Sequence, residues 1–135
     1  MPNLTAWSPR VLSILRIMAG LLFLEHALSK FFDFPTPFPL PGPLPPLLIA
    51  AGAIELVAGA LIAFGLFTRT AAFIASGEMA VAYFMQHAPK DFWPLANGGE
   101  GAILFCFVFL YLVFAGPGPW SLDAILGRKA PGAGR

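Results

Sequence analysis

Apolar residues form four long runs along the chain, separated by turns and a proline-rich segment. A helix that spans a membrane needs about 20 mainly apolar residues. The first two runs meet that length, and the last two are short spans. After the fourth run, the Gly-Pro-Gly-Pro segment at 116–119 cannot continue a helix, and Ser121 is placed to cap a short interfacial helix at 121–126. The pattern predicts long helices at about 11–32, 47–67, 70–86 and 100–116.

The connections between the runs indicate how the helices are arranged. Segment 34–46 contains seven prolines, which favour an extended loop and exclude a helix. Only residues 68–70 join the second run to the third, so these two helices are predicted to form an antiparallel hairpin. The sequence therefore predicts an all-α fold, an antiparallel four-helix membrane bundle that occupies residues 1–135 as one domain.

Composition excludes several classes of protein. Hydrophobic residues make up 58% of the chain and charged residues 11%, whereas soluble domains average roughly 25% charged. The net charge is +1 and no basic stretch is present, which argues against nucleic acid as a partner. The single Cys106 lies in an apolar run and provides no intrachain disulfide or CxxC pair. The composition indicates an integral membrane protein.

The distribution of Lys and Arg predicts the orientation. Cytoplasmic loops carry an excess of these residues. One predicted side holds five of them and the other holds Lys30 and Lys90, so both termini are expected in the cytoplasm. A cleaved signal peptide is the competing interpretation of the first run, but Arg16 interrupts its core and no A-x-A site follows. The five residues on the first side are Arg10, Arg69, Arg128, Lys129 and Arg135.

Ionisable residues inside apolar helices are costly and mark functional candidates. Every predicted long helix has a carboxylate: Glu25, Glu55, Glu78 and, at the start of the fourth, Glu100. Small residues at helical spacing place Arg16, Glu55 and Glu78 on inward faces. We expect Arg16 to extend toward Glu78 as a buried ion pair. Glu25 points the other way, toward the outer interface or a neighbouring subunit.

These residues leave two interpretations open. The Arg–Glu group is either an ion pair that sets helix register or a polar pocket for a head group or a proton. His26 and His87, near the outer boundary, either transfer protons or make a single interfacial hydrogen bond. A di-iron bundle site would need Glu-x-x-His motifs, which are absent, and neither His lies deep enough for haem, so no metal is expected.

Several short motifs recur in order along the chain, and together they resemble the DoxX family of small bacterial four-helix membrane proteins. The resemblance covers nearly the whole chain. The motifs are Arg16, Gly20, Phe23, Glu25, His26 and Lys30 in the first helix, Gly52, Glu55 and Gly59 in the second, the turn 65–69, the stretch 97–100, and the segment 116–123.

The resemblance implies a bundle in the bacterial cytoplasmic (inner) membrane and a link to redox systems. The name-giving members look like a subunit of a thiosulfate:quinone oxidoreductase. By its motif at 97–100, the resemblance adds Asn97 and Glu100 to the candidates for a ligand or proton site. A quinone is the implied ligand, and no covalently bound cofactor is expected.

Three hypotheses follow. In the first, a polar pocket at Arg16, Glu55, Glu78 and His26 handles a quinone head group and its protons, beside a partner that carries the redox centre. In the second, the chain is a non-catalytic scaffold or accessory subunit. In the third, it is a small proton- or cation-coupled transporter. Four short helices leave little room for an enclosed site, so a homo-oligomer or heteromeric complex is expected.

Overall fold

A computed structural model describes residues 3–129, and these residues are helical apart from their connections. Arg135, which entered the charge count, lies outside the described residues. A 3-10 turn at Leu4–Trp7 precedes the first helix, and a π-helical turn at Tyr83–His87 extends the third. The α-helices are α1 (Ser8–Phe32), α2 (Pro46–Phe64), α3 (Thr68–Ala82), α4 (Pro94–Asn97), α5 (Glu100–Ala115) and α6 (Leu122–Lys129).

The turn between α2 and α3 lies at residues 65–67, three residues earlier than predicted. Helix α2 ends at Phe64, three residues early, because Gly65 adopts a left-handed conformation with φ 72°. The Leu66 N–H then donates to the Leu61 carbonyl (2.9 Å) and the Gly65 N–H to the Ile62 carbonyl (3.1 Å). This is the Schellman cap that glycine favours at a helix end.

Helix α3 begins two residues earlier than predicted and changes its winding before its predicted end. The Asp123 carboxylate accepts hydrogen bonds from the N–H groups of Phe67 (2.9 Å) and Thr68 (3.0 Å), which have no acceptor within the helix. This cap lets the helix start at Thr68. At the other end, α-helical geometry stops at Ala82, and the chain continues through one wider π-helical turn.

The long helices pack as two pairs joined through α2 and α3. Helix α1 packs most extensively on α2, and α3 on α5. Contact between α1 and α5 is limited and includes Phe23, whose ring centroid lies 4.9 Å from that of Phe109. The buried faces are the predicted ones on α1 and α2. Their buried members are Ser13, Arg16, Ala19, Gly20, Phe23 and Ala27 on α1, and Gly52, Glu55, Ala58, Gly59 and Ile62 on α2.

We name the two ends of the helices by their connections. The turn end contains the start of α1, the 65–67 turn, and the segment that follows α5. The proline end contains the 33–45 loop and the 83–99 segment. Polar side chains are buried at both ends, and the core between them is apolar except for Ser76, whose hydroxyl donates to the Cys106 carbonyl at 2.8 Å.

Close contact between α1 and α2 depends on glycine at position 20. A Cβ added to Gly20 would lie 2.6 Å from the Ala63 backbone nitrogen, which cannot move independently of α2. We therefore expect Gly20→Ala to lower the free energy of unfolding by about 1–3 kcal/mol through overpacking. Denaturant titration of the purified protein in mild detergent, followed by circular dichroism, measures this.

Gly101→Ala is the matched control, since nothing lies within 4 Å of a Cβ at that position in α5. Alanine is the better helix former, so this variant should be as stable as the parent or more so. Equal stability of the two variants would contradict the close packing of α1 on α2.

Large apolar side chains cover much of the outer surface. Leu104, Phe107 and Phe114 on α5, for example, are all more than 60% exposed. Among the described residues, the helical stretches Leu4–Phe32 and Pro46–Phe64 are long and apolar enough to cross a membrane, and Glu100–Ala115 is a shorter apolar helix. The all-helical fold class is as predicted.

Candidate functional site

A buried ion pair lies at the proline end. Lys30 Nζ is 2.7 Å from Glu55 Oε1, and the two side chains are 8% and 4% exposed. Helical side chains tilt toward the N-terminus of their own helix, so Lys30 leans back into the span and Glu55 leans toward the proline end. The ammonium also lies 5.3 Å from the centroid of the Phe38 ring, which belongs to the proline-rich loop. The loop thus covers the pair.

Sequence reasoning did not select Lys30 as a site residue. A signal was available, because Lys30 lies almost four full turns after Arg16 and therefore on nearly the same face of α1. The inward direction assigned to Arg16 applies to Lys30 as well.

Glu78 is the unusual group of this site. Both of its carboxylate oxygens are buried, and neither has a hydrogen-bond partner among the described residues. Its electrostatic neighbours are Glu55 and Lys30. Three ionisable groups therefore meet, and the single ammonium is already bonded to Glu55. A buried acceptor without a donor costs about 1–3 kcal/mol. Glu78 is therefore suited to bind a proton, or a ligand that donates a hydrogen bond to its carboxyl oxygens.

Glu78 also forms part of the wall of an apolar cleft. The cleft has a volume of about 260 Å³ and lies between α2 and the α3 helix with its π-helical turn. Glu78 and Gln86 are its only side chains with hydrogen-bonding groups. A concave apolar site with few polar groups is typical of small-molecule binding. The lining residues are Leu47, Leu48, Ala50, Ala51, Ile54, Ile74, Gly77, Glu78, Val81, Ala82, Met85 and Gln86.

The predicted pairing of Arg16 with Glu78 is wrong. Arg16 is 1% exposed and lies at the turn end, where its guanidinium donates to three backbone carbonyls. Nε donates to the Ile62 carbonyl at 2.9 Å, and the terminal nitrogens donate to the carbonyls of Pro117 and of Trp120, the latter at 2.7 Å. The N-terminal tilt of helical side chains directs Arg16 away from Glu78.

Three further side chains stabilise the turn end. Arg69 Nη1 donates to the carbonyls of Val113 and Phe114, both at 2.8 Å, near the C-terminal end of α5. The final carbonyls of a helix lack intrahelical donors, so a guanidinium satisfies them well. Asp123 caps α3, and Ser121 Oγ accepts from the Ala124 N–H at the start of α6. The charged groups at this end therefore form hydrogen bonds with backbone atoms.

Asn97 is buried and organises the 83–99 segment. Its Nδ2 donates to the Tyr83 hydroxyl (3.1 Å) and to the Asp91 carbonyl (3.0 Å), and its Oδ1 accepts from the Gly99 N–H (2.7 Å). Its own carbonyl is 3.1 Å from His87 Nδ1. Each polar group of the Asn97 side chain is therefore bonded within this segment, as expected of a positioning residue.

The remaining candidates do not join the group at Glu78. Glu25 and His26 are exposed on α1, and Glu100 is exposed at the first position of α5. The His26 ring has a Phe105 ring at its edge, with centroids 5.8 Å apart. Within residues 3–129, no three His, Cys, Asp or Glu side chains are arranged to hold a metal ion.

An all-helical fold with apolar helices of spanning length, an apolar outer surface and buried charges defines a small helical membrane protein. The DoxX family profile matches residues 11–88. This chain belongs to the DoxX family.

Its relatives are similar over most of their length. An uncharacterized protein of Haemophilus influenzae is 44% identical over 128 residues, which cover 91% of this chain and 96% of that protein. An uncharacterized membrane protein of Mycobacterium tuberculosis is 28% identical, with 97% and 90% covered. The inner membrane protein YqjF of Escherichia coli is 28% identical, with 86% and 92% covered. No solved structure matches this chain.

Proposed function

We propose that this chain is a multi-pass inner-membrane subunit of a quinone-linked redox system, and that the cleft between α2 and α3 receives the quinone head group. The observation that carries the proposal is the Glu78 side chain, whose buried carboxyl oxygens have no donor among the described residues and lie in the wall of an apolar cleft. In this proposal Glu55 and Glu78 are taken over from the sequence prediction, and Lys30 replaces Arg16 as the cation beside them.

The chemistry of the cleft fits such a ligand. A flat ring packs against the aliphatic side chains of both helices, and a quinol hydroxyl supplies the donor that Glu78 lacks. A bound quinol supplies two electrons and two protons. Glu78 accepts the two hydroxyl protons one after the other at a carboxylate oxygen and releases each to water at the outer end of the cleft, while Lys30 holds Glu55 beside it. The electrons pass to a partner protein with a redox centre.

The proposed topology is an antiparallel bundle in which α1, α2, α3 and α5 each cross the membrane, with both termini in the cytoplasm. Arg10 and Arg69 then lie at the cytoplasmic turn end, as the positive-inside rule requires. The cleft opens near the outer end. Reporter fusions at residue 40 and at the C-terminus test this orientation, which is contradicted if the two reporters lie on the same side.

The decisive variant is Glu78→Gln, which keeps the shape of the side chain and removes its capacity to take up and release a proton. Hydrogen bonds to charged groups contribute about 1.5–3 kcal/mol, so we expect affinity for a short-chain quinol analogue to fall by about 10- to 100-fold. The measurement is equilibrium binding to the purified full chain in lipid nanodiscs. Glu100→Gln is the matched control, because this exposed carboxylate lies outside the cleft.

Two results would overturn the proposal. One is equal quinol affinity in the parent and in Glu78→Gln, and the other is an equal loss in Glu100→Gln. Unfolding transitions measured in parallel distinguish lost binding from lost folding. The glutamine variant is expected to be at least as stable as the parent, because an amide that cannot ionise replaces a buried carboxyl group that has no hydrogen-bond partner among the described residues.

A second candidate is a non-catalytic accessory subunit that holds a partner complex together. It is favoured by the turn end, where Arg16, Arg69 and Asp123 all bond to backbone groups and stabilise the ends of three helices. In this case the parent binds no quinol analogue, and loss of the chain from cells lowers the abundance of its partner.

A further inference from the structure

An outward-facing stripe on α1 has the spacing of a coiled-coil seam. Its members follow one another at alternating steps of four and three residues, the heptad pattern of two helices that wind around each other. The four apolar members are all at least 40% exposed, so no helix of the described chain covers them. The stripe consists of Val11, Leu15, Met18, Leu22, Glu25 and Ser29.

Glu25 is the ionisable residue of this seam. It lies seven residues before the end of α1, roughly 10 Å along the helix axis, within an apolar helix. Its carboxylate is exposed and makes no hydrogen bond or ion pair among the described residues. A carboxylate at this depth requires a donor, and the acyl chains of a bilayer offer none.

We propose that two copies of this chain associate through α1 as a parallel pair along this seam, with Glu25 of each copy accepting a hydrogen bond from His26 of the other. The heptad steps place Glu25 at a core position and His26 at the flanking position beside it. A core side chain inserts into a hole formed by four residues of the facing helix, so the two residues meet across the interface.

A second copy fits this seam because the seam is self-complementary. Glu25 in the seam supplies one acceptor and His26 at its flank supplies one donor, and a two-fold axis turns these into two reciprocal pairs. The other exposed members are apolar, so their packing against a second copy requires only complementary shape. Two copies inserted with the same topology are related by an axis along the membrane normal, which makes their α1 helices parallel.

Cysteine cross-linking in native membranes tests the proposal. The parent is the Cys106→Ala variant of the full chain, which removes the single native cysteine. Met18→Cys and Leu22→Cys place a thiol in the seam, and Phe107→Cys is the control, since Phe107 is 63% exposed on α5. With an aqueous copper–phenanthroline oxidant, we expect at least fivefold more disulfide dimer, at twice the 14.4 kDa of the chain, from the seam positions.

The Glu25–His26 pair is tested in the Leu22→Cys background. Glu25→Ala and His26→Ala are each expected to lower the cross-linked fraction severalfold, and Glu25→Gln, which keeps an acceptor oxygen, should restore most of it. Native mass spectrometry of the protein without added cysteines must also show a dimer.

Three results would overturn the proposal: equal cross-linking at Phe107, cross-linking of the seam to a protein of different mass, and no effect of the two alanine variants. Quinol binding is measured at the α2–α3 cleft, away from this face of α1. Failure of the dimer and failure of the proposed function are therefore separate results.

Discussion

Replacement of Arg16 by alanine is expected to lower the free energy of unfolding by about 3–5 kcal/mol, because three carbonyl oxygens lose their donor where little water reaches. The guanidinium joins the end of α2 to the segment that follows α5, so its loss should loosen both. The measurement is denaturant titration in mild detergent, followed by circular dichroism.

Two control variants show whether the loss of stability comes from the hydrogen bonds to the carbonyls. Arg16→Lys keeps the charge but has a single nitrogen in place of the planar fork, so we expect an intermediate loss. Arg10→Ala removes an exposed arginine that lies 4.7 Å from the Trp7 ring centroid and should change stability little. If Arg16→Ala unfolds at the same denaturant concentration as Arg10→Ala, the carbonyl bonds do not stabilise the fold.

Replacement of Lys30 by methionine is the second large effect. It leaves the Glu55 carboxylate, whose side chain is 4% exposed, without its cation. Removal of one partner of a buried ion pair typically costs about 3–5 kcal/mol. Lys30→Met should therefore destabilise the protein by that amount in the same titration. Lys90→Met, at an exposed position in the 83–99 segment, is the matched control.

The double variant Lys30→Met with Glu55→Leu tests whether the loss arises from an unpaired charge. Replacement of a buried pair by apolar residues of similar size is often neutral or stabilising, so most of the lost stability should return. A double variant as unstable as Lys30→Met alone would show that the two residues stabilise the fold independently. In both variants the affinity for the quinol analogue should also change, because Glu55 neighbours Glu78.

The inward faces of the helices could be predicted from sequence because small residues recur at helical spacing. Gly20 and Gly59 are buried where α1 and α2 approach most closely, and Arg16 and Glu55 share those faces. Burial of a whole face follows from periodicity alone. The cleft could not be predicted, because it depends on the separation between α2 and α3, which no single helix encodes.

The partners of the buried charges could not be read from the same pattern. Depth estimated from the rise per residue gives the position of a Cα atom along the axis, but Arg16 and Lys30 have long side chains that lean toward the N-terminus of α1. That lean takes Arg16 to the turn end and brings Lys30 to Glu55. The prediction of an Arg16–Glu78 pair did not take this lean of the side chains into account.

Sequence by itself determined the helices, their apolar composition, the faces they bury and the family, because each depends on local periodicity or on short motifs. Tertiary structure alone decided which groups meet. Asp123 accepts from the Phe67 N–H across 56 positions of the chain. Within residues 3–129, Glu78 has no donor because the nearby ammonium is bonded to Glu55. The physical reason is that a hydrogen bond depends on ångström-scale geometry between helices, whereas a helix and its buried face depend on residues three and four positions apart.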